Sequence, residues 1–204
     1  MPYTQAIICN MALGHLGVTS AVIADLDTDT GKASDSCRLY YQPSLDAALE
    51  DFAWPEFTRY RTLDLVEDFT AVTTPHDWDY SYRYPENCAN VRRIVLSTGR
   101  NTPSPAPFAL GLDDTGRLIY TNEEDAIIEY GERVEDPALF GALFAEAVSW
   151  KLAAFMAPAH SRIKGIVGDA LKMYFLVGAR AEVKSGNERQ LPKPNDSEFT
   201  RERE

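Results

Sequence analysis

Residues 136–184, DPALFGALFAEAVSWKLAAFMAPAHSRIKGIVGDALKMYFLVGARAEVK, decide the fold because they contain the two strongest helical patterns of the chain. Asp136 followed by Pro137 is typical of a helix start, since Asp caps free amides and Pro fits the first helical position. Apolar residues then recur at helical spacing until Pro158, and a second such run begins at Ser161. The short connection predicts an antiparallel helical hairpin.

Two more helices are predicted before this hairpin. Thr4 is a candidate N-cap for the first helix, and Gly17 can end it in the left-handed conformation. Residues 33–52 repeat apolar side chains at helical spacing and predict a second helix of about five turns, which ends before Pro55.

The middle of the chain changes from a helical to an alternating pattern. Residues 78–84 alternate aromatic with polar side chains and predict a strand with one aromatic face, and residues 91–96 predict its neighbour. Residues 118–121 and 126–130 flank an acidic connection and predict a hairpin with an acidic tip. These strands form an insertion between helices.

The sequence therefore predicts a mostly-α fold of the α+β class: an antiparallel bundle of about four helices with a β-strand insertion and an extended C-terminal tail. We assign residues 1–74 to the N-terminal helices of the bundle and residues 75–135 to the β insertion. Residues 136–184 form the C-terminal helical hairpin, and residues 185–204 form the tail.

The tail differs in composition from the rest of the chain. Its large apolar residues are Leu191 and Phe199, set among prolines and mixed charges. Such a segment cannot bury enough surface to order itself. Two interpretations stay open: a tail without a role, or an arm whose isolated apolar residues anchor in a groove of a partner.

The charge balance bears on the class of partner. The chain has 204 residues, with 31 acidic and 20 basic side chains and a formal net charge of −11. This balance argues against ordinary DNA binding, because affinity for a polyanion comes largely from Lys and Arg. The three cysteines have no CxxC spacing, which argues against a secreted disulfide framework and favours folding in a reducing cytoplasm. No apolar run is long enough to predict contact with a membrane.

The acidic residues are concentrated in one segment. Residues 113–136 hold nine acidic and two basic side chains. The segment can be a solvated acidic face, or a surface that stays near a polyanion without holding it. The candidates for such a patch are Asp113, Asp114, Glu123, Glu124, Asp125 and Glu129.

The sequence contains no complete catalytic or metal-binding motif. Residues 25–31 are rich in Asp but lack the Gly and Glu positions of an EF-hand, so we interpret them as a helix-capping loop. Cys9 and Cys37 lie on apolar helix faces and are expected to pack in the core. The three histidines are far apart and form no metal-binding motif. We therefore expect no metal, no cofactor and no enzymatic activity.

Two other functions are the alternatives. Asp77 and Asp79 would share one face of a strand, and paired carboxylates can perform acid and base catalysis in a hydrolase. The aromatic face of residues 78–84 could instead bind a carbohydrate or a receptor.

Seven motifs, in chain order over about residues 3–184, resemble those of the head-to-tail adaptor proteins of short-tailed phages, also called tail tubular protein A. The motifs are Leu13-Gly-His-Leu16-Gly17 with Ile23-Ala-Asp25, Ala33-x3-Cys37-x2-Tyr40, Phe52-Ala-Trp54-Pro55-x-Phe57, Trp78-x-Tyr80-x-Tyr82-x-Tyr84-Pro85-x2-Cys88, Val91-Arg92-x-Ile94, Ala147-x-Ser149-Trp150-Lys151-Leu152-Ala153 and Lys172-x-Tyr174. The chain departs from the family pattern at Glu56, inserted between Pro55 and Phe57, and at the proline-rich residues 103–107.

The resemblance implies a structural protein of the virion, made in the bacterial cytoplasm and located in the neck. Its partners would be the portal protein, copies of itself in a ring of twelve, the tail nozzle protein and, in some phages, the tail fibres. Double-stranded DNA would pass through the ring without specific binding, and the acidic patch would line the channel or the outer rim.

The resemblance also implies two sets of contact residues. The C-terminal segment would reach along the portal, with Leu191, Pro192, Phe199, Arg201 and Arg203 as its contacts. Because protein interfaces are rich in aromatic side chains, the candidates for contacts between ring subunits are Trp54, Phe57, Trp78 and Tyr80, although most aromatic residues of any chain fill its core.

Overall fold

A computed structural model describes residues 2–18, 22–70, 77–95 and 105–188. These residues form a mostly-α fold of the α+β class, as the sequence predicts. The helices are α1 (Gln5–His15), α2 (Lys32–Asp51), α3 (Ala142–His160) and α4 (Ile166–Glu188). The strands are β1 (Thr58–Thr62), β2 (Leu65–Asp68), β3 (Tyr80–Arg83), β4 (Cys88–Val95), β5 (Phe108–Asp113), β6 (Gly116–Thr121) and β7 (Ile127–Glu132).

The first helix has both predicted caps. The side chain of Thr4 accepts a hydrogen bond from the backbone N–H of Ile7 at 3.2 Å. Gly17 follows the helix with a φ of 74°, a conformation that favours glycine over residues with a side chain. The second helix ends at Asp51, before Pro55, also as predicted.

The C-terminal hairpin differs from the prediction at its helix ends. Asp136 does cap a turn, but that turn is a separate 3-10 helix, Pro137–Leu139, and α3 begins only at Ala142. Ser161, where the second run predicts a helix start with Ser161 as its N-cap, is instead the C-cap of α3, and α4 begins only at Ile166. The helix α4 continues to Glu188, so the first residues assigned to the tail are helical.

The helices share one apolar core. The start of α2 lies beside the end of α3, where the ring nitrogen Nε2 of His160 is 2.8 Å from Ser36 Oγ. The end of α2 lies nearer the start of α3, where Lys151 forms an ion pair with Asp51 at 3.1 Å. The two helices are therefore antiparallel. None of the helices in the described ranges is long and apolar enough to cross a membrane.

The described strands form two antiparallel sheets, with strand orders β1-β7-β4 and β2-β3-β6-β5. The two sheets share a second apolar core. Ile94 and Ile128 come from the three-stranded sheet, and Tyr82 and Ile119 come from the four-stranded sheet.

Three predictions about the β part are wrong. It begins with β1 at Thr58, within the segment assigned to helices, and not at residue 75. The strand β4 pairs with β7 rather than with β3. The strands β6 and β7 do not form a hairpin, because residues 122–125 connect one sheet to the other. The pattern of alternation identifies strands, but it contains no information on which sheet each strand joins.

Strands β5 and β6 form a tight hairpin. Asp113 accepts hydrogen bonds from the backbone N–H groups of Thr115 and Gly116, at 2.8 and 2.7 Å. Gly116 has a φ of 143°, which only glycine adopts readily. Turn chemistry of this kind explains the position of the hairpin.

Polar contacts attach the three-stranded sheet to the bundle. The side-chain amide of Asn90 donates to the carbonyl groups of Leu49 and Glu50 at the end of α2, at 3.2 Å each. Arg133 makes a two-point ion pair with Asp46 of the same helix, at 2.9 and 3.1 Å. The Asn90 amide satisfies carbonyl groups that a helix end leaves without partners, and both sets of contacts fix the sheet to the bundle.

Candidate functional site

The predicted acidic patch is partly neutralised by arginines. Asp113 forms a two-point ion pair with Arg83, with both distances 2.9 Å. The hydrogen bonds from Arg83 and then from Thr115 lower the pKa of the Asp113 carboxyl well below its usual range. Glu132, in the same segment, pairs with Arg59 at 2.9 Å.

Glu129 does not belong to a surface patch, which corrects the prediction. It lies at the centre of β7 and is only 5% exposed. The register places Tyr60 of β1 opposite it on one side and Arg93 of β4 on the other. Its carboxylate is 2.6 Å from the Arg93 guanidinium and accepts a hydrogen bond of 3.0 Å from the Tyr60 hydroxyl. Glu129 is therefore part of a buried network that joins all three strands of its sheet.

The remaining candidates fall into two groups. Asp114 is exposed in the turn before β6, whereas Glu124 and Asp125 are exposed, and Glu123 half-buried, after the end of β6. A strand of this length separates its ends by roughly 20 Å. We name residues 123–125 the acidic tip, since these three carboxylates are adjacent in the chain.

Two aromatic candidates for ring contacts are buried in the chain's own core. Trp54 is 1% exposed, and its indole N–H donates to the carbonyl of Ala48 at 2.7 Å. Phe57 is 3% exposed and packs edge to face on Phe144, with ring centroids 4.8 Å apart. Neither side chain is available to a neighbouring subunit, so this part of the prediction is wrong. Core packing, the alternative for most aromatic residues, explains both.

The other aromatic candidates lie around the start of β3. Trp78 and Tyr80 are half-buried and stay candidates for contacts. Tyr82 and Tyr84 are buried, so these two of the four rings point into the core and are not available to a receptor. The guanidinium of Arg117 lies over the Tyr84 ring at 4.2 Å from its centroid.

The residues proposed for hydrolysis do not form a cleft. Asp77 and Asp79 are both exposed and precede β3 rather than lying on it. A general acid needs surroundings that raise the pKa of one carboxyl, and burial is the usual cause. The geometry therefore does not favour the hydrolase alternative.

The Asp-rich loop uses its carboxylates internally. Asp29 accepts hydrogen bonds from the backbone N–H groups of Ala24 and Asp25, at 2.6 and 3.2 Å. The N-cap of α2 is Gly31, which has no side chain to accept a hydrogen bond from the helix. The prediction that the Asp-rich loop caps this helix through a side chain is therefore wrong. Within the described ranges, no group of three or more His, Cys, Asp or Glu side chains could hold a metal ion.

The cysteines are packing residues, as expected for Cys9 and Cys37. All three thiols of the chain are free and buried. The Cys37 sulfur is 3.7 Å from that of Met156. A hydrogen bond with Cys37 and burial both raise the pKa of Cys9, which keeps its thiol protonated.

Sequence analysis missed a contact between His15 and Trp150. The two rings stack with centroids 3.5 Å apart and an angle of 6° between their planes. The His15 ring nitrogen Nε2 is also 3.0 Å from Ser149 Oγ, and burial lowers the pKa of His15. His15 and Trp150 belong to two of the motifs quoted above, but only the fold brings them together.

A groove between α2 and the sheets is lined by several charged side chains. Its volume is about 450 Å³, and its lining includes Arg83, Arg117, Arg133, Asp46 and Glu50. Two of these arginines already pair with carboxylates of the chain. The groove is therefore best explained as the polar junction between bundle and sheets.

An apolar groove on the helical hairpin was not predicted. It has a volume of about 470 Å³ and is lined by Leu143, Leu176, Ala179, Arg180, Val183 and Lys184. We name it the α4 groove. Leu176 is 52% and Val183 is 66% exposed, whereas Leu143 is half-buried against the bundle core. Because α4 has apolar residues on several faces, periodicity could not identify the face left uncovered.

The strand β5 also presents apolar side chains to solvent. It lies at the edge of the described four-stranded sheet, where Leu110 is 51% and Leu112 is 75% exposed. We name it the β5 edge. Together with the α4 groove, it gives the chain two apolar surfaces on different parts of the fold.

Comparisons with known proteins do not identify the chain. No protein-family model matches it, and a search of curated proteins finds no match.

The predicted portal contacts lie outside the described residues; they are Leu191, Pro192, Phe199, Arg201 and Arg203. A function can therefore be argued only from the α4 groove, the β5 edge and the exposed carboxylates of the described residues.

Proposed function

We propose that the chain is a structural subunit of a phage virion, a head-to-tail adaptor. A ring of such subunits would connect the portal to the tail nozzle and continue the channel through which DNA is ejected. The observation that carries the proposal is the pair of exposed apolar surfaces, the α4 groove and the β5 edge. Apolar surfaces of this kind mark sites of protein contact, and a closed ring requires two different faces on each subunit.

The fold supports the same proposal. The resemblance implies a helix bundle with a β insertion, and the chain has four helices and two sheets in its described part. Several motif residues meet in the bundle core, among them Leu13, Cys37 and Trp54. The stacked His15 and Trp150 join two motifs that are distant in sequence. The residues that carry the resemblance are thus residues that stabilise the fold.

The charge distribution fits a subunit that DNA passes without binding. Contacts with phosphate would accumulate over the copies in a ring and hold the duplex. Arg59, Arg83 and Arg93 are each paired with a carboxylate of the chain, which reduces their attraction for phosphate. We propose the acidic tip, and separately Asp114, as the residues that face the channel or the outer rim.

A binding experiment with portal rings tests the proposal. The full chain, mixed with portal rings of the same phage, is expected to form a complex with twelve copies, which native mass spectrometry and negative-stain microscopy can count. A chain ending at Glu188 keeps all of α4 and is expected to fold but not to dock. A matched control replaces Asn195 and Asp196 of the tail with alanine and is expected to dock like the full chain.

Circular dichroism of the truncated chain establishes that it is folded. If the full chain does not bind portal rings under conditions that support neck assembly, the adaptor function is wrong. If the truncated chain docks as well as the full chain, the portal contacts lie elsewhere in the fold.

A further inference from the structure

Three sulfur atoms from three different helices meet in the core of the bundle. Cys9 lies on α1, Cys37 on α2 and Met156 on α3, and each of these residues is 0% exposed. The Cys37 sulfur is 3.7 Å from that of Met156, and the thiols of Cys9 and Cys37 share a hydrogen bond. Two sulfur ligands of one metal ion, each roughly 2.3 Å from it, are about 3.8–4.0 Å apart at tetrahedral or trigonal angles. The contact between Cys37 and Met156 is close to this separation.

A buried hydroxyl without a partner lies beside the sulfur atoms. Tyr41 follows Cys37 by one turn of α2 and is 4% exposed. Within the described ranges its hydroxyl makes no hydrogen bond. Burial and then the neighbouring Cys9 raise the pKa of Tyr41, so the hydroxyl keeps its proton and is available as a donor. Buried polar groups normally have a partner, so this donor points to a charged form of the sulfur cluster that would accept from it.

The hydrogen bond between the two cysteines determines which thiol ionises first. It lowers the pKa of Cys37, whereas the same bond and burial raise the pKa of Cys9. The thiolate is the form of cysteine that binds metal ions. Cys37 is therefore the thiol that can become a charged ligand, while Cys9 stays protonated.

The ligand types favour a soft ion of single charge. Thiolate and thioether sulfur select Cu(I), whereas carboxylate and carbonyl oxygens suit harder ions. Zn²⁺ takes four ligands in structural sites, and this cluster provides three sulfur atoms. One thiolate and one Cu(I) ion also sum to zero charge, which avoids the cost of an uncompensated charge in an apolar core.

We propose that Cys37 and Met156 bind Cu(I), with Cys9 as the third sulfur ligand, in a site that joins α1, α2 and α3. On binding, the Cys37 thiol releases its proton to water and its sulfur donates an electron pair to the ion. The thioether of Met156 and the thiol of Cys9 each donate a lone pair, and copper stays in the +1 state. The sulfur atoms are closed to solvent, so the ion enters when the short helix α1 opens locally. The site does not depend on the adaptor function.

A competition assay tests the site in the full chain. Cu(I), kept reduced by ascorbate without oxygen, is divided between the protein and the coloured Cu(I) chelator bicinchoninate. One ion is expected per chain. Met156→Leu keeps the volume of the side chain, so the variant should fold, and it should weaken Cu(I) binding by at least about tenfold. Cys37→Ser should remove the charged ligand and abolish competition with the chelator.

The matched control is Cys88→Ser. Cys88 is also a buried free thiol, but it belongs to the apolar core of the sheets and not to the sulfur cluster. This variant loses one thiol, as Cys37→Ser does, and is expected to bind Cu(I) like the wild type. Tyr41→Phe removes only the hydroxyl and should weaken binding by about tenfold through the lost hydrogen bond to the cluster.

A thermal shift separates binding by the folded protein from binding by unfolded chains, whose thiols are open to copper. An ion that binds the folded state raises the Tm, whereas one that prefers unfolded chains lowers it. We expect Cu(I) to raise the Tm of the wild type and of Cys88→Ser, but not that of Met156→Leu. X-ray absorption of the wild type should show sulfur neighbours at about 2.3 Å.

Three results would overturn the inference. They are a wild-type chain that does not compete with bicinchoninate, equal affinities of the wild type and Met156→Leu, and a Tm that is unchanged or lower with Cu(I). Loss of binding in Cys88→Ser would also contradict it, since the ion would then be held by another thiol. Portal protein is absent from these assays, so each result leaves the test of the adaptor function unaffected.

Discussion

The buried network around Glu129 gives the sharpest test of how the acidic segment is used. In the Glu129→Gln variant the side chain keeps its shape and can still accept a hydrogen bond from Tyr60, but it loses the charge that faces Arg93. The variant Glu124→Gln makes the same chemical change in the exposed acidic tip. The pair of variants therefore separates a structural carboxylate from a solvated one.

The magnitude follows from burial. Removing one member of a fully buried ion pair costs about 3–5 kcal/mol. The Arg93 side chain is 24% exposed, so water partly solvates its charge when the partner is lost. Gln also retains neutral hydrogen bonds, and we therefore expect Glu129→Gln to lower the free energy of unfolding by about 2 kcal/mol. Glu124→Gln is expected to change it by less than about 0.5 kcal/mol.

Urea denaturation followed by circular dichroism measures both variants. With an m-value of about 2 kcal/mol per molar urea, the midpoint for Glu129→Gln should fall by about 1 M. A double-mutant cycle with Arg93→Gln should give a coupling energy of at least about 1 kcal/mol. Equal stability of Glu129→Gln and Glu124→Gln, or a coupling energy near zero, would show that the reasoning about this network is wrong.

Three further predictions concern titration and packing. The ion pair with Arg83 lowers the pKa of Asp113, so this carboxylate stabilises the fold at neutral pH and loses that effect as the pH falls below about 4. In Asp113→Asn, the free energy of unfolding should therefore depend less on pH in this range, as measured by acid unfolding followed by fluorescence. Burial lowers the pKa of His15, so the folded state resists protonation of the ring and its stability should decline as the pH falls below about 6.5. An NMR titration of the ring should give a pKa below that of a free histidine. Gly178→Ala places a Cβ 2.2 Å from the Phe52 ring and should lower the free energy of unfolding by about 1–3 kcal/mol, as measured by thermal unfolding. Gly168→Ala in the same helix meets no atom within 4 Å and should raise it by up to about 1 kcal/mol.

The helices could be predicted from sequence because their signals are local. Thr4 and Gly17 act within a few residues of the helix ends they cap, and the apolar period of α3 needs no partner to be recognised. The predicted start at Asp136 belongs to a separate 3-10 turn, and α3 begins at Ala142 with Gly141 as its N-cap. Gly141 also lies against Glu56, whose Oε1 is 2.5 Å from where a Cβ would lie. A contact with a distant residue of this kind cannot be inferred from the helix sequence.

The candidate site was predicted less well because it depends on pairing between strands. The sequence shows how many carboxylates residues 113–136 contain, but the fold determines which of them are neutralised by an arginine. Asp113 meets Arg83 through the order of strands β3, β6 and β5, and Glu129 meets Arg93 because β4 and not β6 lies beside β7. Neither strand order is encoded in alternation alone.

The pairing of charges also limits which surfaces of the proposed ring could repel DNA. The acidic segment cannot act as one repulsive wall, since Asp113, Glu129 and Glu132 each face an arginine of their own chain. The acidic tip and Asp114 lie at opposite ends of β6, roughly 20 Å apart, so they are two separate candidates for a surface that faces the channel. Neutralising the tip with Glu123→Gln, Glu124→Gln and Asp125→Asn should slow DNA ejection from assembled particles if the tip faces the channel, and Asp114→Asn should do so if Asp114 faces it. Assembled necks that eject DNA at the wild-type rate would place the substituted residues on the outer rim instead.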